Sequence, residues 1–383
     1  MRIAIIVGEI SGDALGAKLI PEMRMHAGEM RLDIIGTAGP AMEELGVNSF
    51  FPLEDIAVMG IVPVIKRLPS ILKRIRETAD RVIAEKPDAL IIIDSPDFTH
   101  RVAKRVKRAL PDLPVIDYVS PSVWAWRPSR AKAMRAYIDH VLALLPFEPD
   151  AHKRLHGPDC TYVGHPLIER LSILRPNADE QNARINAKHV LILPGSRRSE
   201  ISRLLPIFKH VVAALHARDP SLIFQLPAVD HLYQDILREI ETWSVKPVLL
   251  RGDDAKYRAF REARVALAAS GTVTLELALS QVPMVVAYRV SAVESLLRYL
   301  IKVPSIVLPN LIVGHRPIPE YIQEDCTVEK LTTALSSLID DGSLRNSQIA
   351  AFTDLDHLMK IGDERPSERA ARIIFDVIAK SKS

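Results

Sequence analysis

The sequence MRIAIIVGEISGDALG, residues 1–16, decides how the first half of the chain folds. The apolar run at residues 3–7 breaks into a turn in which Gly8, Gly12 and Gly16 are spaced by four. This pattern predicts a buried strand followed by a glycine-rich turn that opens a helix and faces a ligand. Because the GxGxxG spacing is absent, the turn does not predict a standard dinucleotide site.

Similar apolar runs alternate with charged helical segments along both halves of the chain. They are continuous and rich in β-branched residues, which is typical of parallel strands covered on both faces. The expected strands are residues 3–7, 32–39, 89–95, 114–120, 189–196, 221–227, 247–252, 265–270 and 283–289. Repeated βα units predict an α/β fold with two doubly wound parallel sheets, whose ligands lie beyond the carboxyl ends of the strands. A hinge is expected within residues 165–187.

Composition is typical of a soluble globular protein of two domains, with 383 residues, 48% hydrophobic and 25% charged. A net charge of +3 gives no sign of a nucleic-acid partner. The two distant cysteines exclude a disulfide framework, and the absence of CxxC and HExxH predicts no metal site. The sequence has no signal-peptide pattern and no apolar stretch long enough to span a membrane, so a cytoplasmic location is expected.

The stretch LPGSRRSEI, residues 193–201, places a turn between an expected strand and an expected helix. Unsatisfied backbone N–H groups at such a helix start attract an anion. Gly195 and Ser196 form the turn, and Arg197 adds a permanent positive charge that can neutralise a phosphate. These residues predict a phosphate-binding turn.

A second stretch of the same kind is ASGTVTLE, residues 269–276. Ser270, Gly271 and Thr272 open a helix, and Glu276 lies further in, where its carboxylate can bind two ribose hydroxyls. The alternative is that Ser-Gly-Thr only caps the helix. Two such turns in one domain favour a nucleoside diphosphate. GxxxxGK[ST] and a DxD triplet are absent, so Arg197 and the helix starts are expected to replace a metal ion at the leaving diphosphate.

Acidic residues stand where strands of the first half end. In IIIDSPDF, residues 91–98, Asp94 ends a buried strand and Asp97 follows. A carboxylate there points to the ligand edge of a parallel sheet, so Asp94 is the candidate general base toward an attacking hydroxyl. Glu9, in the opening turn, is a second candidate at the same edge. The alternatives are that Asp94 or Asp97 only caps the next helix, and that Glu9 is a solvated loop carboxylate.

The loop SPSVWAWRPSR, residues 120–130, carries two of the three tryptophans, Trp124 and Trp126, beside Arg127. Aromatic side chains in a loop after a strand can line a sugar or acyl site. They can equally fill the base of the sheet. Composition alone does not choose between these interpretations.

Residues 55–76, DIAVMGIVPVIKRLPSILKRIR, combine apolar side chains with positive charge. Between residues 56 and 138 there are sixteen Lys or Arg against eight Asp or Glu. This combination is typical of docking on an anionic membrane surface, and the alternative is a core helix with a solvated basic side. Pro63 and Pro69 are expected to prevent one long regular helix. The candidate acceptor and membrane residues of the segment are Val58, Met59, Ile61, Val62, Ile65, Lys66 and Arg67.

Taken together, these motifs resemble the lipid-A-disaccharide synthase family of glycosyltransferases. The resemblance extends over nearly the whole chain, through GEISGD, AVMGIVPV, IDSPDF, YVSPSVWAWR, LPFE, GHP, LPGSR, SGTVTLE, PMVVAYR, LPN and PEYIQED. YVSPSVWAWR is highly specific by itself. Thr99 departs from the Asn expected after PDF, although Asp94 and Asp97 are retained.

The resemblance implies a GT-B fold, in which two Rossmann-like domains face a cleft and a C-terminal helix crosses back to the first domain. It implies an acceptor and membrane-side domain of residues 1–165 plus 360–383, and a UDP-sugar domain of residues 166–359. The implied reaction of lipid A biosynthesis is an inverting transfer from UDP-2,3-diacylglucosamine to 2,3-diacylglucosamine 1-phosphate (lipid X). It yields a β-1,6-linked disaccharide 1-phosphate and UDP, and needs no cofactor.

The resemblance also implies roles for single residues and for partners. The turn that holds Gly12 and Asp13 belongs to the acceptor side, together with Trp124, Trp126 and Arg127. Asn310 and Gln323 are candidate donor contacts. The acylated substrates imply a peripheral enzyme on the inner face of the inner membrane. A homodimer with exchanged C-terminal parts is a further implication.

Two other functions share parts of this pattern. A UDP-GlcNAc 2-epimerase, or another GT-B enzyme with a soluble acceptor, shares the nucleotide half and predicts no dependence on lipid. A non-catalytic protein that binds a nucleotide sugar or a lipid keeps the binding site and needs no base.

Overall fold

The structure, a computed structural model, describes residues 1–56, 61–290 and 303–381, without the side chains of residues 61–66. The chain divides into two compact units, Met1–Ile168 with Ile361–Ser383, and Glu169–Lys360. Each unit contains a six-stranded parallel sheet flanked by helices. The predicted α/β architecture with two doubly wound sheets is confirmed.

The strands of the first sheet are β1 (Arg2–Val7), β2 (Asp33–Thr37), β3 (Ala89–Ile93), β4 (Val115–Tyr118), β5 (His140–Ala143) and β6 (Asp159–Tyr162). Their order in the sheet is β2-β1-β3-β4-β5-β6. The central strands β1 and β3 pair in parallel, from Ile3 with Ala89 to Val7 with Ile93, and these residues are fully buried. A strand covered on both faces needs apolar side chains at every position, which explains the continuous apolar runs.

The strands of the second sheet are β7 (His189–Leu193), β8 (Ile223–Ala228), β9 (Val248–Arg251), β10 (Val265–Ala269), β11 (Met284–Tyr288) and β12 (Glu320–Ile322). Their order is β12-β11-β10-β7-β8-β9. β10 and β7 lie at the centre and are buried almost throughout, as their apolar sequences require. A second, separate core forms around this sheet.

Helices cover both faces of the sheets. In the first unit they are Ile10–Ala27, Pro40–Glu43, Ile61–Glu85, Pro96–Ala109, Ser129–Met134, Glu148–Arg154 and Pro366–Ser381. In the second unit they are Leu171–Leu174, Ala178–Ala183, Arg198–Arg218, Tyr233–Ile240, Asp253–Glu262, Thr272–Leu279, Leu308–Val313, Val328–Ile339 and Ser343–Met359. Among the helices of the described residues, none is long and apolar enough to cross a membrane.

Three strands were not expected from the sequence: β5, β6 and β12. β6 and β12 are edge strands that are only partly buried, and their short sequences DCTY and EYI contain no apolar run. The other edge strands, β2 and β9, do contain one and were expected. β5 has four residues, HVLA, too few to distinguish a buried strand from a helix by periodicity.

The helix Ile61–Glu85 is continuous, so the expectation that Pro63 and Pro69 prevent one long helix was wrong. Pro63 lies in the first turn, where a backbone N–H has no partner within the helix. Pro69 lies inside the helix and removes one backbone hydrogen bond. Beyond it, buried Ala79 and Val82 join the core of the first unit, and this tertiary packing stabilises the helix despite the missing bond.

The C-terminal helix Pro366–Ser381 belongs to the first unit, although it follows the second unit in sequence. It packs against the helix Ile10–Ala27 with Ile374 buried, and the rings of Phe375 and His26 lie 4.8 Å apart. The predicted return of this helix to the first domain is confirmed.

Candidate active site

The carboxyl edge of the first sheet brings two predicted catalytic segments together. β1 is followed by Gly8 and Glu9, and the neighbouring strand β3 is followed by Asp94. The Ser11 hydroxyl donates to Asp94 Oδ2 at 2.8 Å and ties the opening turn to this acid. Asp94 Oδ1 accepts the Ser95 N–H at 2.7 Å. The half-buried carboxylate is thereby held where a parallel sheet binds its ligands.

The backbone around Asp94 is strained. Asp94 and Ser95 have φ of 57° and 48°, in the left-handed region that non-glycine residues rarely adopt. Val119, which follows the neighbouring strand β4, has φ of 89°, an outlier for a β-branched residue. The Thr99 hydroxyl donates to Asp94 O at 2.7 Å and closes the turn, so this departure from the family pattern has a structural role. Strained non-glycine residues cluster at functional sites.

The three spaced glycines allow close packing at this edge. A Cβ atom on Gly8 would lie 2.5 Å from Ser95 Cβ, and one on Gly12 would lie 3.0 Å from Ile93 O. A Cβ atom on Gly16 would lie 2.5 Å from a methionine sulfur. The glycines therefore let the first helix approach the sheet and the turn that carries the acid. A contact between Gly12 and the acceptor stays a prediction.

Asp13, the other predicted acceptor residue of this turn, is 2% exposed. Its carboxylate accepts the backbone N–H groups of Gly39 and Ala41 at 2.9 Å and of Met42 at 3.1 Å. These bonds cap the helix Pro40–Glu43. They give Asp13 a structural role, and its contact with the acceptor also stays a prediction.

The two other acids of this edge have different surroundings. Glu9 is exposed and stands at the start of the helix Ile10–Ala27. Asp97 is exposed and pairs with Arg130 at 3.1 Å. Because Asp97 already holds a cation, Asp94 stays the stronger candidate base, and Glu9 stays a second candidate.

The two tryptophans of the loop after β4 differ in environment. The Trp124 indole N–H donates to Glu148 Oε1 at 3.0 Å, and its ring meets Phe147 edge to face at 5.1 Å. Trp126 is 41% exposed, and the Arg127 guanidinium lies 4.2 Å from the centre of its ring. Trp124 therefore packs into the domain, whereas Trp126 and Arg127 present a surface suited to a sugar or an acyl chain.

Several buried ionisable groups near this loop were not predicted from the sequence. Glu148 is buried and accepts the Leu145 N–H at 2.9 Å, and burial raises its pKa to about 7. Asp117 is buried within β4, and His100 Nε2 lies 3.1 Å from its Oδ2. The signal for Asp117 was an acid inside the apolar strand sequence VIDY, because a buried charge needs a partner.

The predicted membrane segment is described only in part. Val58 and Met59 lie outside the described residues. The side chains that the structure does not describe include those of Ile61, Val62, Ile65 and Lys66. Further along the same helix, Arg67 is exposed, and Leu68 and Leu72 are 42% and 37% exposed.

A cavity of about 600 Å³ lies at the carboxyl ends of strands in the second sheet. It is lined by residues that end or follow β7, β8, β9 and β10. The predicted donor residues that line it are Gly195, Ser196, Arg197, Ser270, Gly271, Thr272 and Glu276. The fold therefore brings the two predicted turns, which are far apart in sequence, into one cavity.

At the first turn, Gly195 has φ of 108°, which favours glycine. The Arg197 guanidinium donates from Nη1 to Glu200 Oε1 at 2.7 Å. The N–H groups of Ser196 and Arg197 donate to Glu200 Oε2 at 3.2 and 3.3 Å. Glu200 was not predicted from the sequence. It accepts the hydrogen bonds that the predicted phosphate turn would otherwise offer to a ligand.

At the second turn, Gly271 has φ of 145°, and a Cβ atom there would meet only open space. The helix Thr272–Leu279 begins directly after it, and its first residues line the cavity. The partial positive charge of a helix start therefore faces the cavity. The Ser270 hydroxyl donates to Ile306 O at 2.7 Å and braces a neighbouring loop.

Glu276 lines the cavity from within that helix and is mostly buried. Its Oε2 accepts from Lys256 Nζ at 2.7 Å, and its Oε1 accepts from the Tyr257 hydroxyl at 3.1 Å. Burial, together with the Glu276 charge, raises the pKa of the Tyr257 hydroxyl. These bonds fix the carboxylate and leave it lone pairs for ribose hydroxyls.

Asn310 and Gln323 are not among the described residues that line this cavity. Asn310 Nδ2 donates to Ile318 O and to Glu320 Oε1, both at 2.9 Å. Gln323 Oε1 accepts the Val290 N–H at 2.8 Å. Both side chains brace loops, and a donor contact by either stays a prediction.

Lys256 and Glu200 line the cavity but were not predicted from the sequence. Lys256 belongs to the helix that follows β9, at the same edge as the two glycine turns. The rule that ligands lie at strand carboxyl ends was a usable signal for it. Glu200 is the third residue of its helix, where a glutamate ordinarily serves as a capping residue, so its sequence position indicates only structure.

Comparison with known proteins gives a consistent result along the whole chain. The profile of a family described as lipid-A-disaccharide synthetase matches residues 3–374. The chain is 49% identical to the lipid-A-disaccharide synthase of Nitrobacter hamburgensis, over 100% of this chain and 96% of that protein. It is 38% identical to the lipid-A-disaccharide synthase of Gluconobacter oxydans, over 98% of this chain and 90% of that protein.

Solved structures with the same architecture are nucleotide-sugar enzymes and related transferases. UDP-GlcNAc 2-epimerase from Neisseria meningitidis, bound to UDP-GlcNAc, has a TM-score of 0.61 at 14% identity, over 99% of this chain and 100% of its own. MurG of Acinetobacter baumannii has a TM-score of 0.57 at 14% identity, over 99% of both chains. At these identities the likeness concerns the fold alone, and the predicted GT-B fold is confirmed.

Proposed function

The chain belongs to the lipid-A-disaccharide synthetase family, and from that premise we propose that it joins two acylated glucosamine units. The predicted class, a hexosyltransferase of lipid A biosynthesis, is confirmed by this membership. In the proposal the donor is UDP-2,3-diacylglucosamine and the acceptor is 2,3-diacylglucosamine 1-phosphate. The products are the β-1,6-linked disaccharide 1-phosphate and UDP, with inversion at the anomeric carbon.

The cavity of the second unit is the observation that supports a UDP donor. A nucleoside diphosphate needs positive charge and N–H donors for its phosphates, and acceptors for its ribose hydroxyls. The cavity offers Arg197 and the start of the helix Thr272–Leu279 for the first requirement, and Glu276 for the second. Its volume of about 600 Å³ lies within the usual range for a small-molecule site.

Departure of UDP leaves negative charge on the diphosphate, and the cavity is arranged to stabilise that charge. Arg197 lines it at one turn, and Lys256 lines it beside Glu276. The dipole of the helix that begins at Thr272 adds partial positive charge. Fixed charges of this kind act most strongly where charge develops in the transition state.

Asp94 is the proposed general base. In an inverting transfer the acceptor 6-hydroxyl attacks the anomeric carbon from the face opposite UDP, and the attack releases a proton. Asp94 would accept that proton, since Ser11 and Ser95 hold its carboxylate at the ligand edge of the first sheet. By analogy with glycosidases, the sugar passes through a transition state with oxocarbenium character.

Both proposed substrates carry acyl chains, so we propose that the first unit docks on the anionic inner face of the inner membrane. Leu68 and Leu72 are exposed on the helix Ile61–Glu85, and the Lys73 side chain is 74% exposed next to them in sequence. Apolar and basic side chains on one exposed helix favour an anionic lipid surface. A homodimer remains a prediction from the family resemblance.

Product analysis tests the proposed reaction. The purified protein is mixed with both acylated sugars in the presence of EDTA, and the products are identified by mass spectrometry. We expect UDP and a β-1,6-linked disaccharide 1-phosphate, and no disaccharide when the acceptor is omitted. An epimerised UDP-sugar without disaccharide would replace the proposal with an epimerase, and binding of UDP without turnover would indicate a binding protein.

A further inference from the structure

Glu200 is the third residue of the helix Arg198–Arg218, where a glutamate commonly accepts the N–H of the capping residue. Here its carboxylate accepts more hydrogen bonds than a helix cap requires. Oε2 accepts the N–H groups of Ser196 and Arg197 at 3.2 and 3.3 Å, and Oε1 accepts Arg197 Nη1 at 2.7 Å. These are groups that the sequence assigns to the donor diphosphate.

The first turn of the cavity is shaped around this carboxylate. A Cβ atom on Gly195 would lie 2.5 Å from Glu200 Oε2, so the glycine makes room for the glutamate. Glu200 is 8% exposed and nevertheless lines the cavity. Consecutive backbone N–H groups of a turn form an anion-binding concavity, and the protein fills this one with its own negative charge.

The second cation of the cavity is paired in the same way. Lys256 Nζ holds Glu276 Oε2 at 2.7 Å, and both residues line the cavity. Within the described part of the chain, Arg197 and Lys256 are the cations of the cavity lining, and each holds an internal carboxylate. An entering diphosphate must therefore exchange partners with groups that are already paired.

We infer that Glu200 is an internal competitor of the donor diphosphate, which displaces it from the turn on binding; the inference rests on the proposed UDP donor. Two anions cannot accept the same N–H groups. The two backbone contacts of Glu200 are longer than the roughly 2.7–2.9 Å typical of charge-assisted bonds. The Arg197 side chain is 62% exposed and free to turn toward a new partner. A diphosphate offers more charge and more acceptor oxygens than one carboxylate.

Competition of this kind weakens the binding of UDP, because each binding event includes the loss of an internal ion pair. Weak binding of UDP favours its departure once the sugar has been transferred. Since product release limits the turnover of many enzymes, Glu200 would serve turnover by keeping UDP affinity low.

Calorimetric titration with UDP and with uridine tests this role. Glu200→Gln keeps the length of the side chain and suits a capping box, but it loses the charge. We expect UDP to bind the variant roughly five- to tenfold more tightly than the wild type, because a negative charge near the diphosphate is removed. Uridine binding should be unchanged, since uridine has no phosphate to meet the turn. Glu241→Gln, an exposed position of the same unit, controls for the change in net charge.

Unchanged or weaker UDP binding by Glu200→Gln, with uridine binding retained, would show that Glu200 is a fixed brace and overturn the inference. If this variant folds poorly, Glu200→Asp gives a second test: it keeps the charge, but its carboxylate is one methylene shorter and reaches Arg197 and the turn N–H groups less well, so a smaller gain is expected. UDP should again bind more tightly, and no gain would count against the inference. Failure of the wild type to bind UDP would instead overturn the proposed donor.

Discussion

The carboxyl edges of the two sheets differ in which residues have a positive φ. At the edge of the first sheet, positive φ values belong to residues with side chains, Asp94, Ser95 and Val119. At the cavity of the second sheet they belong to glycines, Gly195 and Gly271. A general base needs a side chain, so glycine cannot replace it and the positive φ is accepted as backbone strain. A phosphate site needs the ligand to approach the backbone N–H groups closely, which glycine allows without strain. The backbone at the two edges thus fits the proposed roles, proton transfer at the first edge and diphosphate binding at the second.

The acids of the two regions differ as well. Glu148 and Asp117 are buried near the loop of the first unit, away from solvent. Glu200 and Glu276 line the cavity of the second unit and pair with cations there. Glu148 and Asp117 therefore contact only the interior of their unit, whereas Glu200 and Glu276 lie where a charged ligand can compete for their partners.

Replacement of the base should give the largest effect. Asp94→Asn keeps an acceptor oxygen for the Ser95 N–H, and its amide N–H can donate to the Ser11 hydroxyl, but it cannot take a proton, so kcat should fall by about 10²- to 10⁴-fold. UDP binding should be unchanged, because the donor residues lie in the other unit. Asp97→Asn, which loses an exposed ion pair, should cost far less. Turnover of Asp94→Asn at the wild-type rate would remove this edge from the chemistry.

Loss of Arg197, one of the two cations that the described residues contribute to the cavity lining, should give the next largest effect. Arg197→Met should lower kcat/KM by about 10²-fold, because the leaving diphosphate loses a fixed positive charge. The adjacent Arg198 pairs with Asp235 at 2.5 Å and is not among the described cavity residues, so Arg198→Met is the matched control. Steady-state kinetics with both variants gives the comparison. Equal losses in the two variants would mean that general charge, and not the cavity, attracts the donor.

The buried acid of the first unit predicts a pH-dependent stability. Burial raises the pKa of Glu148 from 4.5 to about 7, so between these values the folded state binds more protons than the unfolded state. The free energy of unfolding should therefore fall as pH rises from about 4.5 to about 7 and level off above, by about 3 kcal/mol in total.

Glu148→Gln should remove this dependence while it keeps an acceptor for the Trp124 indole. Urea unfolding at pH 4.5 and 7.5 measures this pH dependence. Between these pH values the free energy of unfolding of the variant should rise by about 3 kcal/mol relative to that of the wild type. The exposed Glu29 supplies the control, Glu29→Gln, which should follow the wild type. Parallel curves for Glu148→Gln and the wild type would mean that Glu148 is ionised as readily in the folded as in the unfolded chain.

Membrane docking should show the smallest effect. The double variant Leu68→Ser, Leu72→Ser should bind anionic vesicles about three- to tenfold more weakly, since two partly exposed leucines lose their contact with lipid. Ile185, exposed on the second unit, is the matched control, and Ile185→Ser should sediment with vesicles as the wild type does. If the two proteins lose binding equally, the first unit has no special role at the membrane.

The parts of the fold that were predicted are those with a strong local pattern. β1, β3, β7 and β10 are buried on both faces, so burial requires an apolar residue at almost every position. β6 and β12 are short, partly exposed edge strands, and their sequences DCTY and EYI lack that pattern. The long helix was misjudged at Pro69, because the packing that stabilises it comes from residues remote in sequence.

Within the site too, the residues that were predicted are those that belong to a local sequence pattern. Gly195 and Gly271 were predicted, because a strand, a glycine turn and a helix form a local pattern of some ten residues. Lys256 was missed because its partner Glu276 lies on another helix, and no local pattern joins them. Glu200 was missed for a different reason, since a glutamate at a helix start has an ordinary structural use.

The sequence by itself determined the two parallel sheets, the glycine turns and the position of Asp94 at a strand end, because burial and backbone conformation select residues locally. Tertiary structure alone decided that Asp94 is held by Ser11, and that Lys256 of one helix faces the carboxylate of Glu276 on another. The physical reason is that the charge on a side chain acts over distances in space, and the chain brings those charges together only after it has folded.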